Sequence, residues 1–263
     1  MINFDTNNLI VVAYPPMAGG KFLINCLALS SNAVLQHAGL AQHDLDGALS
    51  GANKMQILRN KIKLVGDRWD DLRMGCDMLF GVKIDRYREY VGDMSIFTFA
   101  KVIDTLSNSD KLFFIVAHDT EDLSGILKIW PQARVIAFNN CLPFITHRGG
   151  RDVCSEYWNV IRGPDWPELA PKTVDELMQC PQFVIDQVNK DFPLMYDKMV
   201  DCIERYPHRF EQTTFWDTNW YFSAKQTATA VEQLYRKFNL NDFNQEYIIE
   251  YHTLWINKLN ELK

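Results

Sequence analysis

The sequence predicts an α/β protein, with helices covering both faces of a parallel sheet in three layers. Three observations predict it. Short runs at 9–14, 112–117 and 134–139 are apolar and rich in β-branched or aromatic residues, the composition of strands buried on both faces. The first run is followed by a turn of proline, glycine and small residues, then by Phe22, Leu23, Cys26, Leu27 and Ser30 at helical spacing. The second and third runs are separated by one helix-length segment. That is the strand–helix–strand unit of parallel sheets, which needs about 30 residues and crosses over right-handed.

The first unit is Leu9-Ile10-Val11-Val12-Ala13-Tyr14-Pro15-Pro16-Met17-Ala18-Gly19-Gly20-Lys21-Phe22 and the helix that follows. A strand, a small-residue loop and a helix start form a phosphate cradle. The first turn of a helix offers unpaired N–H groups and a positive dipole end, and glycine lets an anion approach the backbone. The Walker pattern asks for Gly, four residues, Gly-Lys, then Ser or Thr. Gly20-Lys21 fits, Pro15 stands at the first glycine, and Phe22 stands where a hydroxyl would hold magnesium. The loop is expected to cradle phosphate without that metal ligand. The plain alternative is a strand-to-helix turn with a solvated lysine.

Residues 32–52 read as a polar loop in which His37 and His43 are surface residues, since no Cys or Glu frames them as a metal site. Residues 53–64 read as a short basic helix, 66–93 as a solvated connection or acceptor-binding structure, and 95–106 as a helix. The second strand ends at His118-Asp119. Asp119-Thr120-Glu121-Asp122 opens a helix with Leu123, Ile126, Leu127 and Trp130 on its apolar face, and Pro131 ends it. The third strand finishes at Asn139-Asn140. Ligands of parallel sheets sit beyond the carboxyl ends of the strands, which puts the loop at 15–21, His118 and Asn139-Asn140 on one rim.

Arg148-Gly149-Gly150-Arg151 suits a mobile anion clamp, or else a solvated turn. Residues 155–171, with Tyr157, Trp158 and Trp166, read as a lid or an acceptor-pocket wall. Residues 173–206 read as helical, interrupted at Pro181 and Pro193. A last strand is expected at 209–217. Two amphipathic helices follow, marked by Val231, Leu234, Tyr235 and Phe238 and then by Tyr247, Ile248, Tyr251, Leu254 and Trp255. Those aromatics read as core.

A chain of 263 residues is long enough for one large domain. Its 47% hydrophobic and 23% charged content is that of an ordinary soluble protein. The net charge of −6, with no basic stripe, argues against a nucleic-acid partner or an anionic membrane surface. No apolar run reaches the ~20 residues of a membrane span, and no basic segment precedes the first apolar run as in a secretory signal. The six cysteines are scattered without metal spacing, as free thiols in a reducing cytoplasm would be.

Three segments resemble the sulfotransferases, a P-loop-like family that moves a sulfuryl group from 3′-phosphoadenosine 5′-phosphosulfate to a hydroxyl or amine. Tyr14-Pro15-Pro16-Met17-Ala18-Gly19-Gly20-Lys21-Phe22 is similar to the family's Tyr-Pro-Lys-Ser-Gly-Thr-Thr-Trp loop, with one extra residue. Val116-Ala117-His118 resembles its Lys-Thr-His at a strand end. Residues 130–140, Trp-Pro-Gln-Ala-Arg-Val-Ile-Ala-Phe-Asn-Asn, resemble the segment leading into its Arg-Asn-Pro. Order and spacing agree over about residues 9–150.

The resemblance implies a P-loop NTPase-like, sulfotransferase-like fold over one domain, 1–263, with acceptor or lid insertions near 32–93 and 146–180. It implies Lys21 and His118 as catalytic residues. Donor contacts fall on Pro16, Met17, Ala18, Gly19, Gly20, Lys21, Phe22 and Asn139, with Arg148 or Arg151 in place of the absent 3′-phosphate ligands. The family's loop lysine falls at Met17 here, and Lys21 occupies a threonine position. The implied co-substrate is 3′-phosphoadenosine 5′-phosphosulfate with no metal, and the acceptor a small molecule or carbohydrate. Two other readings stand beside it. One is a P-loop small-molecule kinase using ATP and magnesium, with Asp119 as its metal-linked carboxylate. The other is a non-catalytic nucleotide-binding protein.

Overall fold

The computed structural model describes residues 9–14, 18–33, 35, 49–64, 78–79, 82–83, 111–117, 123–124, 127, 133–141, 143–144, 201 and 213–261. Among these residues, four strands form a parallel sheet: β1 (Leu9–Ala13), β4 (Phe113–Ala117), β5 (Arg134–Asn139) and β6 (Thr213–Asp217). Their order is β4-β1-β5-β6. Between β1 and β4 in the chain, β2 (Met78–Leu79) and β3 (Val82–Lys83) make a small antiparallel hairpin. That hairpin lies within a segment the sequence reads as a connection.

All three expected strands form, and the expected last strand follows. The second and third strands are not neighbours, because β1 lies between them and pairs with both. The segment joining β4 to β5 therefore crosses β1. Every residue of β1 is buried, which accounts for its unbroken apolar run: the central strand of a parallel sheet is covered on both faces.

Among the described residues, the sheet is accompanied by the helices α1 (Gly20–Ala28), α2 (Gly51–Leu64), α3 (Ala224–Phe238) and α4 (Gln245–Glu261). Ile10, Val12, Ile136 and Phe138 of the sheet join one apolar core with Phe22, Leu23 and Leu27 of α1, Val231 and Leu234 of α3, and Tyr251 and Trp255 of α4. The aromatics of the last two helices are core, as their spacing implies. Ser223 caps α3 by accepting the Gln226 N–H, and Asn239 ends it in the left-handed conformation. Leu123 and Leu127, expected on one apolar helix face, are both buried.

Buried polar groups tie these helices together. The Lys54 ammonium on α2 is fully buried and donates to the carbonyls of Ser30 (2.7 Å) and Ala33 (2.6 Å) just past α1. A cation there complements the negative end of the helix dipole. Asn25 in mid-helix donates to the Tyr251 hydroxyl at 2.8 Å, and Tyr235 donates to the Cys26 carbonyl at 3.0 Å. The Arg59 guanidinium of α2 meets both oxygens of Glu250 on α4 at 2.6 Å. Among the described residues, no helix is long and apolar enough to cross a membrane.

Candidate functional site

The chain leaves β1 for β4 on one side, then returns across β1 to β5 on the other. This makes the gap between β1 and β5 a topological switch point, where open parallel sheets bind ligands beyond the strand ends. The register aligns Ala13 of β1 with Ala117 of β4 and Ala137 of β5, so three strands finish on one rim. The turn after β1 brings Ala18, Gly19, Gly20 and Lys21 to that rim. The end of β5 brings Asn139 and Asn140, and the end of β6 brings Asp217.

Gly19 is the N-cap of α1 at φ 79, a left-handed conformation that side chains rarely adopt. Its carbonyl accepts N–H groups from Phe22 (3.1 Å) and Leu23 (3.4 Å) and the Tyr221 hydroxyl (2.9 Å). A Cβ here would meet Tyr221, Phe144 and Trp255 at 3.0–3.2 Å. Gly20 is tighter still, because a Cβ would fall 2.1 Å from the Tyr14 ring. Both glycines are thus explained by close approach of aromatic rings. The space a side chain would occupy is already filled by the protein, so the anion-approach role expected of this pair is left to their backbone.

Phe22 is held in the core. Its side chain is 2% exposed and stacks on Trp255 (4.2 Å between centroids) and Tyr251 (5.2 Å). Its N–H is turned back to Gly19. Both groups are engaged within the protein, and Phe22 is a core residue. Ala18 is likewise buried. Lys21 is half-buried in the first turn of α1, a turn that carries no acidic residue. A cation at that end of a helix is opposed by the helix dipole.

Asn139 closes β5 with its side-chain Oδ1 buried and without a hydrogen-bond partner. Its carbonyl accepts the Cys141 thiol at 3.6 Å. Asn140 then turns the chain at φ 50, and its carbonyl accepts the Thr218 hydroxyl at 2.6 Å. Asp217 accepts the Asn219 N–H at 2.9 Å and caps the 3-10 helix Thr218–Phe222. That helix delivers Tyr221 to Gly19.

Burial pushes the thiols of Cys26 and Cys141 up, with the Asp217 charge adding to the effect at Cys141. Neither is a thiolate nucleophile. Burial also pushes the Tyr221 phenol well up, keeping it the proton donor to Gly19. His252, on α4, sits edge-on to Phe22 with Nε2 2.8 Å from the Tyr221 carbonyl, and burial lowers its pKa.

The rim therefore unites Gly19, Gly20, Lys21 and Asn139. Pro16, Met17, His118, Arg148 and Arg151 lie outside the described residues. Among the described residues, no group of three or more His, Cys, Asp or Glu could hold a metal. Sequence reasoning missed Tyr14 and Tyr221, the two residues that fix the glycine turn. The signal available for Tyr14 was its place directly after a buried strand. Tyr221 carried none, since its partner lies 202 positions away. Comparison with family models, curated proteins and solved structures found no match to this chain.

Proposed function

We propose that the chain is a sulfotransferase that takes its sulfuryl group from 3′-phosphoadenosine 5′-phosphosulfate. One observation carries the reading. The switch-point rim places the amino end of α1, with Lys21 in its first turn, beside the carboxyl ends of β1 and β5. Positive potential at that position suits a phosphate leaving group.

The residues fit the donor in part. The helix end and Lys21 suit its 5′-phosphate, and Asn139 offers a buried polar atom in want of a partner. The buried ring of Phe22 fills the position where a P-loop kinase has a metal-holding hydroxyl. That favours a sulfated donor over ATP with magnesium.

The donor supplies an activated sulfuryl group on a phosphate. In the proposed reaction the acceptor oxygen bonds to sulfur while the sulfur–oxygen bond to that phosphate breaks. Lys21 and the amino end of α1 take up the charge gained by the leaving phosphate. His118, which follows the last residue of β4, takes the acceptor's proton. The products are a sulfated acceptor and adenosine 3′,5′-bisphosphate.

Titration calorimetry tests this. Adenosine 3′,5′-bisphosphate should bind without magnesium, and Lys21→Ala should weaken it by roughly tenfold or more, the scale of a charge-assisted contact. Binding of ATP that requires magnesium would establish the kinase instead. Binding of neither would remove both readings.

A further inference from the structure

No further inference is drawn: the strongest candidate, the side-chain pair of Asn139 and Asp217 abreast at the carboxyl ends of β5 and β6, belongs to the rim already described, and the Asn139 Oδ1 that lacks a partner is itself buried, with nothing in the structure showing what ligand reaches it.

Discussion

Gly20→Ala sets two physical effects against each other. Gly20 is the first residue of α1 with no unusual φ, so helix propensity alone favours alanine by about 0.5–1 kcal/mol. Packing opposes it. The new Cβ would stand 2.1, 2.2 and 2.4 Å from three atoms of the Tyr14 ring. Ordinary carbon contact is about 3.5 Å, so the ring or the helix must retreat by roughly 1.4 Å. The ring has little room. Tyr14 is 3% exposed, its N–H is bonded to Ala117, and Phe138 lies 5.3 Å from it. Overpacking of this kind costs about 1–3 kcal/mol, so a net loss of about 1–2 kcal/mol is expected. For a chain of this size that lowers the melting temperature by roughly 2–8 °C. Urea unfolding of wild type, Gly20→Ala, Tyr14→Ala and the double variant closes a cycle. Once the ring is gone the second substitution should be harmless or mildly stabilising. A Gly20→Ala protein as stable as wild type, or a cycle with no coupling, would refute the packing account and return this glycine to the anion.

Three further outcomes are expected. Lys54→Met removes the buried donor to the carbonyls of Ser30 and Ala33, leaving Ser30 with the Ala33 N–H alone, and should lower stability by about 3 kcal/mol; an unmoved urea midpoint would show that the buried ammonium is not holding α1. His118→Ala should reduce turnover by ~10²–10⁴-fold with donor affinity intact, and turnover at the wild-type rate would exclude His118 as the base. Burial lowers the His252 pKa below its ordinary 6.5, so the unfolded chain binds more protons just under that pH. Stability should then fall as pH drops below about 6.5, down to the folded-state pKa. His252→Gln should flatten that slope, and an identical pH profile would count against the assignment.

The sheet was legible because its strands are buried on both faces. Leu9–Ala13 and Arg134–Asn139 contain little that could face water, and such runs announce themselves without alternation. The helices α3 and α4 were legible from apolar spacing. Strand order was not, because nothing local distinguishes a crossover to a neighbour from a crossover past β1. The rim was legible in outline: Gly19, Gly20, Lys21 and Asn139 do gather at the strand ends. What those glycines face was not. Gly-Gly before a helix reads the same whether an anion or a ring approaches it, and the rings in question are Tyr14, six residues before Gly20, and Tyr221 and Trp255, more than two hundred residues on. Phe22 carries a related ambiguity. Its motif position points to the ligand, while its chemistry points to the core in which its ring is buried.

The stitching of α1 to α3 and α4 also orders events in time. Asn25 waits for Tyr251, Cys26 for Tyr235, and Gly19 for Tyr221, partners 202 to 226 residues away. A growing chain exposes residues 14–28 long before those partners exist. The segment emerges as an apolar stretch with no cover for Phe22, Leu23 or Leu27, the kind that associates wrongly or recruits a chaperone. Closure of such distant contacts is slow. The turn at the heart of the rim is therefore synthesised 202 residues ahead of Tyr221 and becomes native only after it. Premature termination anywhere before Trp255 would leave its aromatic cover incomplete, however well the sheet had formed.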